Sequence, residues 1–370
     1  MKIYADHAST TPLFDMALDA MIPLMKEEYG NPSSLHSWSK KPKAALAKAR
    51  AIIASCIGAL PEEIFFTSGG TEANNWIIKG SSGGLLTSTY EHHAILNAVE
   101  SEILLGRKVG YISPKMNGLV TIDKVKAAWK GDVKLVSIMT ANNEIGVVND
   151  IQSLAQFIHK NGALLHTDAV QAVGHIPINV AELGVDFLSA SAHKFNGPKG
   201  IGFLYIKKGC SLENLIHGGQ QESARRAGTE NVAAIAGMAA ALEWNCKQMS
   251  THISHLNRLR EYLIERILAF YPNAQIIDLD GKHSLPGFIS VAFPRQSAEG
   301  LVHILDLKGV AVSTGAACDS KNTQISHVLK AIRMPRKYAK GTVRITLGVE
   351  NTKEDIDVIV GTLSMALRQA

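Results

Sequence analysis

The sequence predicts an α/β protein with a mostly parallel, seven-stranded sheet in a large domain and a smaller α+β domain. Seven short apolar segments between residues 64 and 206 have the continuous hydrophobic character of strands that are covered on both faces. Segments with helical spacing separate most of them, and this alternation is typical of parallel strands joined by right-handed crossovers. The length of 370 residues exceeds what one compact core usually holds.

The elements follow in order along the chain. The predicted strands of the sheet are residues 64–66, 85–87, 110–112, 135–138, 163–166, 186–188 and 202–206. Helical patterns cover residues 16–29, 43–57, 72–79, 93–105, 122–129 and 151–161, and a helix-rich stretch runs from 232 to about 270. Strands near 287–293 and 343–347 and helices near 298–308, 325–332 and 353–368 form the smaller unit. We therefore expect a large domain of residues 15–245 and a small one of residues 1–14 and 246–370.

Composition narrows the function classes. Hydrophobic residues make up 46% and charged residues 19% of the chain, and the net charge is +5, which is typical of a globular protein without a nucleic-acid surface. No apolar run reaches the roughly 18 residues of a membrane span, and the first residues lack the apolar segment of a signal peptide. The four cysteines form no C-x-x-C pair, so neither a disulfide framework nor a metal site is expected. A cytoplasmic location is expected.

Ligands of open α/β sheets bind beyond the carboxyl ends of the strands. The segment after the first strand contains Gly70 and Thr71, where a glycine turn and a helix N-terminus could bind phosphate; a tight turn capped by threonine is the structural alternative. His92 and its neighbour His93 follow the second strand and could stack on a ring or carry protons, although a capping or surface role is the commoner one.

Three further strand ends carry polar side chains. The asparagine pair that includes Asn143 could bind a ring hydroxyl, or could simply form a turn. Asp168 could hold a protonated pyridine nitrogen, or could cap a helix. Lys194 lies in a Ser-x-His-Lys turn and is a candidate for a Schiff base. Together these groups are the set that pyridoxal phosphate requires.

Cys318 stands in a small, polar segment, residues 313–322, with a glycine three residues before it. Such a segment suits a mobile arm that presents a reactive thiol. An inert, buried cysteine is the alternative. We interpret Cys56, Cys210 and Cys246 as structural.

The sequence resembles the cysteine desulfurases, the NifS/IscS-like group of fold-type I (aminotransferase class V) pyridoxal-phosphate enzymes. The resemblance extends over nearly the whole chain. Its motifs are YADHASTTP (4–12), GNPSS (30–34), TSGGTEANN (67–75), NNEIG (142–146), HTDAVQ (166–171), SAHK (191–194), RAGTEN (226–231), GAAC (315–318) and RITLG (344–348).

The resemblance implies a role for each matching residue. It implies that Lys194 binds pyridoxal 5′-phosphate covalently, that His92 stacks on its ring, and that Asp168 and Gln171 contact the ring nitrogen and phenolic oxygen. The implied phosphate ligands are Gly70, Thr71, Ser191, His193 and, from the neighbouring subunit of a homodimer, Thr229. Asn143 and Arg344 are the implied anchors of the substrate carboxylate.

The implied activity is removal of sulfur from L-cysteine, which leaves L-alanine and a persulfide on Cys318. The persulfide would pass to an acceptor protein, such as an Fe–S scaffold or a thiolation carrier. Selenocysteine lyase, cysteine-sulfinate desulfinase and aminotransferase activity on the same cofactor are alternatives, and a non-catalytic binding protein with this fold is a further one.

Overall fold

The structure is a computed structural model that describes residues 2–314 and 325–369. The described residues form the following β-strands: β1 Ile3–Tyr4, β2 Ile64–Thr67, β3 Gly84–Ser88, β4 Val109–Ile112, β5 Val133–Ser137, β6 Leu164–Asp168, β7 Phe187–Ser191, β8 Gly202–Ile206, β9 Gln275–Ile276, β10 Phe288–Ala292, β11 Val310–Ala311 and β12 Thr342–Thr346. The seven strands predicted for the large sheet are β2 to β8, each within a few residues of its predicted place.

The helices surround these strands. They are α1 Asp15–Lys26, α2 Lys40–Ile57, α3 Gly70–Gly80, α4 His93–Leu104, α5 Ile122–Ala128, α6 Ile151–Lys160, α7 Val180–Leu183, α8 Gln221–Ala224, α9 Val232–Phe270, α10 Ala298–Leu307, α11 His327–Ala331, α12 Arg336–Ala339 and α13 Lys353–Gln369. Short 3₁₀ helices span Ser37–Ser39, Pro61–Glu63 and Ala192–Lys194. Within the described residues, no helix is both long and apolar enough to cross a membrane.

The large sheet has the strand order β2-β8-β7-β6-β5-β3-β4. The pairs from β7 through β4 are parallel, whereas β8 is antiparallel to both β2 and β7. The predicted mostly parallel sheet is therefore confirmed. Because β2 and β7 both run opposite to β8, all strands except β8 end at the same edge, and the loops that follow them meet there.

A smaller unit packs against the C-terminal half of α9. Strand β10 pairs antiparallel with β12 and β9, and β1 pairs in parallel with β11. The first half of α9 contributes Leu242 to the hydrophobic cluster of the large sheet, and the second half contributes Leu263 to that of the smaller unit. Ile3 and Ala5 join the second cluster. We propose that these two packing units are the expected domains, with the division inside α9.

Two cysteines that are distant in sequence meet where α2 packs on α9. The Cys246 Sγ lies 3.9 Å from the backbone carbonyl oxygen of Cys56, although 190 positions separate the two residues. The thiols also share a hydrogen bond, and both residues are partly exposed. Sequence spacing alone gave no sign of this contact.

Candidate active site

A cavity of about 630 Å³ lies at the edge where the parallel strands end. Ten of the side chains or glycines predicted from the sequence line it together: Gly70, Thr71, His92, Asn143, Asp168, Gln171, Ser191, His193, Lys194 and Arg344. Thr229 is exposed and is not part of the lining contributed by the described residues. Cys318 lies outside the described residues.

The turn between β2 and α3 forms a cradle at one end of the cavity. Gly69 has a φ of +150°, a region that favours glycine. A Cβ on Gly70 would lie 2.6 Å from the Val170 Cγ2 atom, so no side chain fits there without a shift. The first turn of α3 opens into the cavity through Gly70 and Thr71, and backbone N–H groups of a helix N-terminus bind anions. This end suits a phosphate group.

Asp168 ends strand β6 and is held in place from two sides. Its Oδ2 accepts a hydrogen bond from Asn74 Nδ2 at 2.6 Å, and its Oδ1 accepts one from the Val170 backbone N–H at 3.0 Å. Asn74 stands four residues after Gly70, so the two share one face of α3. Asn74 is a site residue without a role predicted from the sequence, although its i, i+4 spacing from Gly70 within the glycine motif is a signal for one.

His92 both caps a helix and lines the cavity. It is the N-cap of α4, and its Nδ1 accepts a hydrogen bond from the Ala94 N–H at 3.1 Å, while its ring also lines the cavity. Burial lowers its pKa, the negative charge of Asp168 opposes this, and nearby Lys194 lowers the pKa further. Because Nδ1 is the acceptor, Nε2 carries the proton of the neutral ring.

His193 is also held neutral. Burial, followed by the positive charges of Lys194 and Lys199, lowers its pKa to about 4. Its Nδ1 lies 3.1 Å from the Thr10 hydroxyl oxygen. At neutral pH this imidazole is therefore a hydrogen-bonding group and not a cation.

Lys194 follows β7 at the end of a 3₁₀ turn and points at the N-terminal segment. Its Nζ donates hydrogen bonds to the carbonyl oxygens of Ala8 at 2.6 Å and Ser9 at 2.8 Å. Gln171 Nε2 donates to the same Ala8 carbonyl at 2.9 Å. Residues 8–10 thus form a wall of the cavity, a placement that the sequence analysis did not predict.

Arg344 comes from β12 of the smaller unit and is 2% exposed. Its Nη1 donates to the Asn143 carbonyl oxygen at 2.7 Å, and its Nη2 donates to Asp6 Oδ1 at 2.7 Å and Ser9 Oγ at 2.6 Å. Its Nε is buried and has no partner among the described residues. The guanidinium is therefore fixed in orientation and retains a donor for which residues 2–314 and 325–369 offer no acceptor.

Two buried titratable groups lie behind the strand ends. Burial raises the pKa of Glu91 to about 8, against the opposing hydrogen bonds from Ser88 and Met139, so this carboxyl is protonated at neutral pH. Burial lowers the pKa of His166 to about 3, and its ring nitrogens lie 2.9 Å and 3.0 Å from the hydroxyl oxygens of Ser137 and Ser189. Both groups are therefore uncharged at neutral pH.

Comparison with known proteins identifies the class. Residues 3–359 match the aminotransferase class-V family, and the chain belongs to that family. It is 45% identical to "Cysteine desulfurase IscS" of Dictyoglomus turgidum over 379 aligned positions, which cover all of this chain and 95% of the relative.

Comparison with solved structures narrows the class-V family to one group. A structure titled "NIFS-LIKE PROTEIN" matches with a TM-score of 0.93 and 36% identity over the whole of both chains. One titled "SspA in complex with cysteine" matches with a TM-score of 0.81 and 32% identity over 94% of this chain and 99% of the other. Within the class-V family, the chain belongs to the cysteine desulfurase group. The resemblance, the fold class and the expectation of an enzyme are thereby confirmed, while the roles of individual residues stay predictions.

Proposed function

We propose that the protein removes sulfur from L-cysteine with the help of pyridoxal 5′-phosphate, leaving L-alanine and a persulfide on Cys318. The observation that carries this proposal is the meeting of four chemically different groups in one cavity. These are a glycine-lined helix N-terminus, the buried Asp168 carboxylate, the Lys194 amine and the buried Arg344 guanidinium.

The lining residues fit the cofactor. The cradle at Gly70, with Thr71, Ser191 and His193, would hold the phosphate, because no Cβ fits at Gly70 and helix N–H groups open there. Asp168 would hold the ring nitrogen, Gln171 the phenolic oxygen, and His92 one face of the ring. When bound, the cofactor supplies an electron sink for charge that develops at the substrate Cα.

Arg344 and Asn143 are suited to anchor the substrate carboxylate. A guanidinium binds a carboxylate through charge-assisted hydrogen bonds from its N–H donors. Asp6 and Ser9 hold one nitrogen of Arg344, and the buried Nε supports the proposal because it has no acceptor among the described residues. This anchor would fix which face of the substrate Cα meets Lys194.

Proton movements would involve Lys194 and His92. The Lys194 Nζ is positioned by two carbonyl oxygens and, once it is free of covalent bonds, would accept the Cα proton. The neutral His92 presents Nε2–H as a donor. The thiolate of Cys318 would then attack the substrate sulfur, so that an S–S bond forms and the C–S bond breaks. The electron pair of that bond goes to the substrate Cβ, which takes up a proton to give alanine.

The decisive experiment measures alanine, sulfide and the mass of Cys318 after L-cysteine is added to the holoenzyme. We expect Cys318→Ala to keep the cofactor absorbance and to lose sulfide release, and Lys194→Ala to lose covalent cofactor attachment. Cys210→Ala is the matched control and should react like the parent protein. Sulfide release from L-cysteine that persists in Cys318→Ala would exclude the mechanism.

Further features of the proposal concern partners and location. We infer a homodimer with shared active sites, because Thr229 is exposed in this chain and would complete the phosphate site of a second copy. When Lys194→Ala and Thr229→Val proteins, each inactive alone, are mixed and exchange subunits, part of the activity should return. In a mixed dimer, one of the two sites has both Lys194 and Thr229.

We also propose a cytoplasmic enzyme whose persulfide passes to a protein acceptor, either an Fe–S scaffold or a thiolation carrier, without direct contact to nucleic acid.

A further inference from the structure

His327 lies at the wall of the cavity without a role in the function described so far. It begins α11, and its ring lines the cavity beside His93, with ring centroids 4.6 Å apart. Its Nε2 lies 2.9 Å from the backbone carbonyl oxygen of Glu91. Because a carbonyl can only accept, Nε2 carries a proton.

The other ring nitrogen, Nδ1, is the candidate contact to a ligand. His327 Nδ1 is buried and has no hydrogen-bond partner among the described residues. With the proton of the neutral ring fixed on Nε2, Nδ1 presents a lone pair. A buried acceptor that stays unpaired is costly, so its presence at a ligand cavity indicates a donor on the ligand.

A chain of hydrogen bonds and neighbouring residues connects His327 with the proposed carboxylate anchor. Ser326, the preceding residue, bonds through its hydroxyl to Glu144 Oε2 at 2.5 Å. Glu144 follows Asn143, whose carbonyl oxygen accepts from Arg344. Arg344, Asn143, Glu144 and His327 all line the cavity, so a small amino acid anchored at Arg344 shares this cavity with His327.

We propose that His327 Nδ1 accepts a hydrogen bond from the side-chain thiol of the bound substrate, which makes His327 a specificity-determining residue for sulfur-bearing amino acids. This inference rests on the proposed function. The thiol proton stays on the substrate Sγ, and Nε2–H stays on the Glu91 carbonyl. No oxidant or further reactant takes part. L-alanine, the product, has no donor to offer at this position.

Two substitutions separate the two ring nitrogens. His327→Asn keeps a polar atom near the Nδ1 position, whereas His327→Gln reaches the Nε2 position and keeps a donor to the Glu91 carbonyl. We expect His327→Asn to retain kcat/KM for L-cysteine within about threefold and His327→Gln to lose at least about tenfold. The dissociation constant of L-alanine, followed by the cofactor spectrum, should be unchanged in both.

The opposite order, an active Gln variant and an impaired Asn variant, would show that His327 only anchors the chain through Nε2 and would overturn the inference. A parent protein that binds L-cysteine but releases neither alanine nor sulfide would instead overturn the proposed function. A second measurement does not depend on the folding of His327 variants. In the Cys318→Ala protein, L-cysteine should bind at least about tenfold more tightly than its isostere L-2-aminobutyrate, and equal binding contradicts the role of Nδ1.

Discussion

The cavity has two walls that are built in different ways. The first consists of residues that directly follow strands of the large sheet, with Asp168 and Lys194 at its centre. The second consists of the N-terminal segment around Ser9 together with Arg344 and His327. Contacts in the second wall join residues 338 positions apart in the case of Arg344 and Asp6. The first wall therefore depends on local strand–loop order, and the second on how the two packing units meet.

This difference suggests that the two walls bind different molecules. The groups suited to a phosphate and a pyridine ring lie on the first wall, and the guanidinium suited to a carboxylate lies on the second. Substitutions in the first wall should then weaken cofactor binding, whereas those in the second should affect the amino-acid substrate and leave the cofactor in place.

The largest effect is expected at Arg344. Arg344→Gln removes the charge that would pair with the substrate carboxylate and leaves Asp6 without its ion-pair partner. We expect kcat/KM for L-cysteine to fall about 1,000-fold, because breaking a buried, charge-assisted pair costs several kcal/mol. Steady-state kinetics and the cofactor absorbance measure the two effects separately. Arg336→Gln, on the exposed α12, serves as the control, and loss of the cofactor in Arg344→Gln would contradict the division between the walls.

Glu91, which lies behind the first wall, should make stability depend on pH. Burial raises its pKa from the usual 4.5 to about 8, so in this pH range the native state holds a proton that the unfolded state releases. The stability from this group is present below pH 4.5 and is lost as the pH rises through about 8. Gln cannot ionise. Between pH 5 and pH 8, Glu91→Gln should therefore gain on the order of 3 kcal/mol relative to the parent protein.

Urea unfolding of both proteins at the two pH values tests this expectation. The exposed Glu299 supplies a control variant, Glu299→Gln, whose stability should change with pH in parallel with the parent protein. A constant difference between parent and Glu91→Gln at both pH values would show that the carboxyl ionises normally in the native state.

Asn74 tests the first wall through its hydrogen bond to Asp168. Asn74→Ala removes the donor 2.6 Å from Asp168 Oδ2, and a hydrogen bond to a charged group contributes about 1.5–3 kcal/mol. We expect the dissociation constant of pyridoxal phosphate to rise at least about tenfold, with little change in the KM for L-cysteine of the saturated enzyme. The Asn75 amide donates to the backbone carbonyls of Thr71 and Ala94, so Asn75→Ala is the control and should bind the cofactor as the parent does.

The same two walls explain what the sequence could predict. Each residue of the first wall follows an apolar segment, so strand order alone placed Asp168 and Lys194 at one edge. The second wall arises from the packing of β12 beside the N-terminus, and no local pattern encodes which side chain Arg344 will meet. Its role came from the resemblance, and the Asp6 and Ser9 contacts came only from the structure. His327 carries no motif that separates it from an ordinary helix start.

The smallest effect on activity is expected from the Cys56–Cys246 pair, which belongs to neither wall. The hydrogen bond from Cys56 lowers the pKa of the Cys246 thiol, although burial opposes it, so Cys246 is the better nucleophile of the two. Treatment with diamide, which takes up the two electrons and two protons, should join them in a disulfide. Peptide mass spectrometry should find this bond in the parent and in Cys210→Ser but not in Cys246→Ser.

Because the bond closes a long loop, Tm should rise by several degrees. Turnover should stay within about twofold, since α2 and α9 support the sheet without lining the cavity. A larger loss of turnover on formation of this bond would mean that the walls move relative to α9 during the reaction.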